Sequence, residues 1–174
     1  VLFCRGFCLG EIVRAEREQV IPSGKGVDAS LVICELGGET RALGLGAGLN
    51  GGLHQALLDR WGVAHDLAPA LGETRTATVL VDLAVGKQST ISAPTLTARE
   101  EHLDSLLELV GRYSSEAWGL ICGGSLPPGL PRDSYARLVG FAREHGLATL
   151  LDTSGDALRL GVRGLPHVLK INQD

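Results

Sequence analysis

The chain contains no methionine, so Val1 is not expected to be a translated start. Val1-Leu2-Phe3-Cys4 begins inside an apolar, strand-like stretch. At the other end, Val168-Leu169-Lys170-Ile171 reads as a strand running into Asn172-Gln173-Asp174, where a parallel-sheet protein normally continues into a helix. The chain is therefore read as the middle of a longer protein, lacking both termini. Basic residues are too few for a polyanion: 16 Lys and Arg stand against 20 Asp and Glu, a formal net charge of −4. Nucleic acid is not an expected partner. No apolar run approaches the roughly 20 residues of a membrane helix, and no membrane partner is expected. The four cysteines make no framework, because Cys4 and Cys8 are close while Cys34 and Cys122 are isolated. A zinc site wants paired clusters. Cys34 and Cys122 lie in apolar runs and read as buried reduced thiols. Nothing points to an oxidising compartment, which makes the cytoplasm the expected location.

What is present fits an ordinary globular protein, with 44% apolar and 21% charged residues over 174 positions. That length suits one principal domain. The 24 glycines fall in clusters, which indicates tight turns and close backbone approaches. Residues 1–22 read as two short strands around a turn near Gly6 or Gly10, the second running from about Glu11 to Ile21. Ser23-Gly24-Lys25-Gly26 opens a helix from about Val27 to Leu36, with Leu31, Val32, Cys34 and Leu36 suited to burial and Gly37-Gly38 ending it. Arg41–Leu45 is a short strand, and a glycine-rich turn leads to a helix near Leu53–Trp61. Thr74–Asp82 is rich in β-branched residues and returns through Val85-Gly86-Lys87 to Gln88–Ser92, a hairpin. A helix near Ala98–Tyr113 puts Leu103, Leu106, Leu107 and Val110 on one face. Strand Trp118–Cys122, helix Asp133–His145, strand Ala148–Leu151, a short helix near Ala157–Leu160 and strand Val168–Ile171 follow.

Alternating strands and helices predict a parallel sheet with helices on both faces. The two hairpin segments, 1–22 and 74–93, would pair as one small separate sheet. Residues 23–73 and 94–174 would form the α/β core. Ligands of open α/β sheets sit beyond the carboxyl ends of the strands, so the glycine turns, Gly123-Gly124-Ser125 and Asp152-Thr153-Ser154-Gly155 should gather on one edge.

Several motifs could carry chemistry. Gly46-Ala47-Gly48-Leu49-Asn50-Gly51 is a G-x-G-x-x-G between a strand and a helix, with Asp66 20 residues beyond Gly46, which is the dinucleotide fingerprint in outline. A dinucleotide-dependent oxidoreductase is one reading, and backbone approach to another small ligand a second. Gly24 at a helix start exposes N–H groups to an anion and Lys25 adds a point charge, although the segment is not a Walker A loop. Arg75, before a strand, could grip a phosphate with two donors. Asp152 ends an apolar strand, and its plainer role is capping the next helix.

The combination resembles a known family. Pro22-Ser23-Gly24-Lys25-Gly26-Val27-Asp28-Ala29, Leu36-Gly37-Gly38, Ala42-Leu43-Gly44, Gly72-Glu73-Thr74-Arg75-Thr76, Gly123-Gly124-Ser125-Leu126-Pro127-Pro128-Gly129, Leu151-Asp152-Thr153-Ser154-Gly155 and Lys170-Ile171-Asn172 occur in order. This series resembles the PfkB carbohydrate kinases of the ribokinase-like superfamily, closest to the branch of 1-phosphofructokinase and tagatose-6-phosphate kinase. The resemblance implies a three-layer α/β/α sandwich with a small β-sheet lid. It also implies ATP- and Mg-dependent phosphoryl transfer to a hexose or hexose phosphate, such as fructose 1-phosphate, fructose 6-phosphate or tagatose 6-phosphate, and a homodimer through the lid. Gly24, Lys25 and Asp28 would lie on the sugar side. Arg75 would hold the acceptor's phosphate, Ser125 would lie near the sugar, and Lys170 and Asn172 would face the nucleotide. Ser23 stands where the family usually has glycine, Asp28 where it has asparagine, and Ala77 where asparagine is frequent. Asparagine donates and accepts, whereas ionised aspartate only accepts. An anion beside a phosphorylated substrate is unfavourable unless Lys25 compensates. These departures also admit a non-catalytic sugar-phosphate-binding protein. The family's Gly-Ala-Gly-Asp run is absent, so no catalytic base is expected in this chain and one is expected C-terminal to Asp174.

Overall fold

A computed structural model describes residues 1–172. The chain begins with strands β1 (Leu2–Cys4) and β2 (Arg17–Glu18), then helix α1 (Lys25–Glu35). Two parallel strands, β3 (Arg41–Gly46) and β4 (Ala64–Pro69), flank helix α2 (Gly48–Arg60). Short strand β5 (Leu71–Gly72), hairpin β6 (Ala77–Asp82) and β7 (Lys87–Ser92), and short strand β8 (Leu96–Thr97) follow. Helix α3 (Glu100–Tyr113), β9 (Gly119–Gly123), α4 (Ser134–Glu144), β10 (Ala148–Asp152), α5 (Gly155–Gly161), a 3-10 turn over Val162–Gly164 and β11 (Val168–Lys170) complete the order.

Side chains on β3 alternate between two cores, as the two-residue period of a strand requires. Ala42 is buried with Leu58 of α2 and Val63, against Val27 and Leu31 of α1. Leu43 and Leu45 pack on the opposite core, which contains Leu103 and Val110 of α3, Leu138, Val139 and Ala142 of α4, and Leu151 of β10. Helices therefore cover both faces and make three layers. On α3 the expected stripe is present: Leu103 and Val110 are buried, and Leu106 and Leu107 pack against the same core.

The parallel strands lie in two pieces rather than one sheet. β10 pairs with β9 and β11, in the register Asp152↔Gly123 and Asp152↔Lys170. β3 pairs with β4, from Arg41↔Ala64 to Gly46↔Pro69. A ladder needs strands about 4.8 Å apart. Between β3 and β9 lies instead a cavity of about 530 Å³, lined in part by Arg41, Leu43, Leu120 and Ile121. Helix α1 spans this gap by touching both strands.

A separate four-stranded sheet has the order β2-β1-β6-β7. Parallel pairing of β1 with β6, Leu2↔Leu80 to Cys4↔Asp82, joins residues 78 positions apart in sequence from the two hairpin segments, and Asp82 accepts N–H bonds from Gly6 and Phe7. β2 is much shorter than the expected Glu11–Ile21 strand. Only Leu2↔Glu18 and Phe3↔Arg17 pair, because Gly6 and Gly10 turn the chain away with positive φ angles of 73° and 88°.

Other expectations need correction. Val32 and Leu36 are 54% and 81% exposed, not buried. They lie four residues apart on one face of the helix end, while Leu31 and Cys34 turn toward the core. Strand β4, unassigned in the sequence because its run Ala64–Pro69 is weakly apolar, is held by six ladder pairs. α2 starts at Gly48, inside the expected glycine turn. Among the described residues, no helix is long and apolar enough to cross a membrane.

The thiols differ sharply in surroundings. Cys4 and Cys122 are buried, Cys34 is half-buried, and Cys8 is exposed. Burial pushes the Cys122 thiol up to about 12, so almost no thiolate exists at neutral pH. A thiol reagent under native conditions should modify Cys8 readily and Cys122 only on unfolding. Native modification of Cys122 as fast as Cys8, read by peptide mass, would contradict this packing.

Candidate functional site

The carboxyl ends of β9, β10 and β11 meet the start of α1. Gly24 caps α1 with a φ of 137°, a backbone conformation that favours glycine. Lys25 is the first helical residue and reaches across to β10, where its Nζ donates to Asp152 Oδ1 at 2.6 Å. Lys170, at the end of β11, lies 3.4 Å from Asp152 Oδ2 and donates to Asn172 Oδ1 at 2.7 Å. Asp152 thus sits between two ammonium groups. Burial pushes its carboxyl up, but the hydrogen bonds and charges of Lys25 and Lys170 outweigh that and hold it below the usual carboxylate range. The hydrogen bond to Asp152 raises Lys25. Both partners are therefore charged throughout the neutral range.

Asp152 does not cap the next helix. Ser154 occupies the N-cap of α5 and makes no side-chain cap bond. Its position at the carboxyl end of a parallel strand was the available signal for a role in the site.

The turn after β9 is fastened from beneath. Tyr135 donates its hydroxyl to Gly123 O at 2.8 Å and Gly124 O at 2.9 Å, and Thr153 donates to Gly124 O at 2.7 Å. Gly124 N–H donates to Asp152 O at 3.0 Å. Tyr135 and Thr153 are buried, and burial raises the Tyr135 phenol further above neutrality, so it serves as a fixed donor. A Cβ on Gly123 would approach Lys25 Cβ and Asp152 O, both at 3.0 Å, so glycine admits the close passage of α1. Thr153 belongs to the Asp152–Gly155 turn expected at this edge, whereas nothing in the sequence pointed to Tyr135.

Beyond that turn, Ser125 is exposed and receives a hydrogen bond from Arg75 Nη1 at 3.4 Å. Lys25 lies against Gly123 and Gly124 at one end of the turn, and Arg75 meets Ser125 at the other. Asp28 is not part of this cluster: its exposed carboxylate turns back to accept from Gly24 N–H at 3.4 Å, within its own helix turn. It still contributes a charge that raises Lys25.

The glycine fingerprint fails as a dinucleotide site. Leu49 and Asn50 N–H groups at the start of α2 donate to the Glu73 carboxylate at 3.3 and 3.0 Å, so an internal anion occupies that helix end. Asp66 lies within β4, bound by Arg112 at 2.9 Å and Tyr113 at 3.0 Å. Among the described residues, no three carboxylates, histidines or cysteines converge. These residues do not by themselves make a site for the Mg²⁺ that the family resemblance implies.

The three-layer α/β/α architecture superposes on solved ribokinase-like structures, which shows a ribokinase-like fold. Over residues 1–174 the sequence matches the pfkB family carbohydrate kinases, and the chain belongs to that family. It is 32% identical over 169 residues to a 1-phosphofructokinase of Xanthomonas campestris, covering 94% of this chain and 53% of that protein. It is 31% identical to a tagatose-6-phosphate kinase of Staphylococcus epidermidis, covering 97% of this chain and 54% of that one. The crystal structure of a possible 1-phosphofructokinase from Thermotoga maritima superposes with a TM-score of 0.91 at 23% identity, covering 98% of this chain and 56% of that one. The chain spans about half the length of the curated relatives it matches. The base expected C-terminal to Asp174, like Gln173 and Asp174 themselves, lies outside the described residues.

Proposed function

We propose that the protein carrying this chain transfers the terminal phosphoryl group of ATP to a hydroxyl of a hexose phosphate of the fructose 1-phosphate, fructose 6-phosphate or tagatose 6-phosphate type. The observation that carries this reading is the pair of cations flanking one glycine turn: Lys25 against Gly123-Gly124, and Arg75 on Ser125. A phosphorylated sugar needs both a planar fork for its phosphate and a polar bed for its hydroxyls. Arg75 supplies the first. Ser125 and the Gly24–Lys25 helix start supply the second. Lys170 and Asn172, at the end of β11, are assigned to the nucleotide side. Phosphoryl transfer is mostly positioning and charge stabilisation, which suits a cluster that is ionised at neutral pH. The proton of the acceptor hydroxyl would pass to the base beyond Asp174, and ADP would leave.

Residues 1–22 and 74–93 are assigned as the lid that excludes water. Phe7, Leu9, Ile12 and Ile91 are exposed on this lid, and a second copy packing there would cover them. Val1, Leu2 and Phe3, at the start of the same segment, are already half-buried and would contribute less to such a contact.

The test is ADP release by the full-length protein with fructose 1-phosphate, fructose 6-phosphate, tagatose 6-phosphate and unphosphorylated hexoses. Turnover is expected with at least one phosphorylated acceptor, at a lower KM than with any free hexose. Binding without turnover would favour the non-catalytic reading, and preference for free hexoses would remove Arg75 from the role assigned to it.

A further inference from the structure

Arg75 hangs on a two-residue arm whose root is unusually well fastened. β5 pairs with β8, and Glu73 N–H donates to Thr95 O at 3.1 Å. Thr74 is bound twice to Ala47: its N–H donates to Ala47 O at 2.9 Å, and its Oγ1 accepts from Ala47 N–H at 2.9 Å. The Glu73 carboxylate accepts from Leu49 and Asn50 N–H at the start of α2, where the helix dipole favours a negative charge. The glycines of the fingerprint fit this clasp. Gly48 has a φ of 62°, and a Cβ there would run into the Glu73 carboxylate. A Cβ on Gly51 would come within 3.3 Å of Thr74 Oγ1. The next residue is Arg75, and two positions further on β6 enters the small sheet.

We propose that Glu73 is the positioning residue for Arg75. Its carboxylate, seated on the start of α2, ties the Arg75 arm to the core and sets where the guanidinium meets the acceptor's phosphate. The motif Gly46–Gly51 is the receptor for this internal anion. This inference rests on the proposed function for the identity of the ligand, but the tie itself is a property of the chain.

In the full-length protein, Glu73→Ala should raise the KM for the phosphorylated acceptor about tenfold, inside the roughly 10²-fold that a misplaced group can cost. The KM for ATP should stay within about twofold, since only uniform acceptor binding is lost. Glu73→Gln keeps one acceptor oxygen and should fall between wild type and alanine. In an Arg75→Ala background, Glu73→Ala should add less than about twofold, because two residues acting through one contact are not additive. Amide hydrogen exchange should quicken at Leu49, Asn50 and Thr74 in Glu73→Ala. Gly48→Ala, which displaces the carboxylate from the other side, should reproduce both effects. Equal rises in the two KM values, or an undiminished effect in the Arg75→Ala background, would overturn the positioning role. A wild-type protein that turns over none of the acceptors would overturn the proposed function instead. The exchange measurement would then decide the tie alone, and unchanged exchange at Leu49, Asn50 and Thr74 would overturn it.

Discussion

Arg75→Ala in the full-length protein is expected to raise the acceptor KM by about 30-fold or more and leave the KM for ATP nearly unchanged. The guanidinium is exposed and leans on Ser125 through one 3.4 Å bond, so its removal disturbs little of the fold. In the complex it would face a phosphate dianion, and truncating one side of a desolvated charge pair costs about 2–5 kcal/mol. The direction of selectivity is the sharper test. Fructose and other free hexoses lack the phosphate, so their KM values should hardly move. Arg75→Lys should recover only part of the loss, because an ammonium cannot present the two-pronged donor fork. An acceptor KM that does not change would detach Arg75 from the site.

Asp152→Asn is expected to lower kcat/KM by about 10²-fold, the order of cost when a positioned group drifts by an ångström. The carboxylate bonds Lys25 at 2.6 Å and lies 3.4 Å from Lys170. An amide carries no charge to hold two ammonium groups together, and they would repel. Lys25, proposed for the sugar side, and Lys170, proposed for the nucleotide side, would then both shift. The pH dependence has a definite sign. Asp152 is held below its ordinary carboxylate value, so its contribution is present above about pH 3.9 and is lost as pH falls through the lower folded value. Lys25 is raised, so its contribution is present below about pH 10.4 and is lost as pH rises through the higher folded value. Between those limits the pair does not titrate. Any bell in the neutral pH–rate profile belongs to other groups and should survive in Asp152→Asn. Loss of a neutral-range limb in that variant would show that the pair is not ionised as the geometry requires.

Much of the fold was legible because local chemistry and tertiary packing agree. The stripe Leu103, Leu106, Leu107 and Val110 has helical period, and its face is the one that packs. The apolar run at Leu150-Leu151 is short and continuous, and β10 is indeed paired on both sides. β4 escaped because Ala64-His65-Asp66 carries polar groups whose burial depends on partners far away. Asp66 finds Arg112 and Tyr113 on α3, 46 and 47 residues later. Val32 and Leu36 were misjudged for the opposite reason. An apolar residue declares no destination until something covers it, and here both remain exposed.

The sequence by itself determined the alternation of strand and helix, the placement of glycine turns after strands, the family, and the order of motifs carrying Lys25, Arg75, Ser125, Lys170 and Asn172. The alternation and the turns depend on short-range period and turn chemistry, which a linear chain displays directly, and the family rests on the resemblance of the motif series. Only the tertiary structure decided that Asp152 joins Lys25 across 127 residues rather than capping α5. Only it showed that Asp28 turns back on its own helix, and that a G-x-G-x-x-G receives a carboxylate of the same chain. A helix start attracts any anion that reaches it. The pattern of glycines records that the backbone is open to approach, and the fold determines which anion arrives.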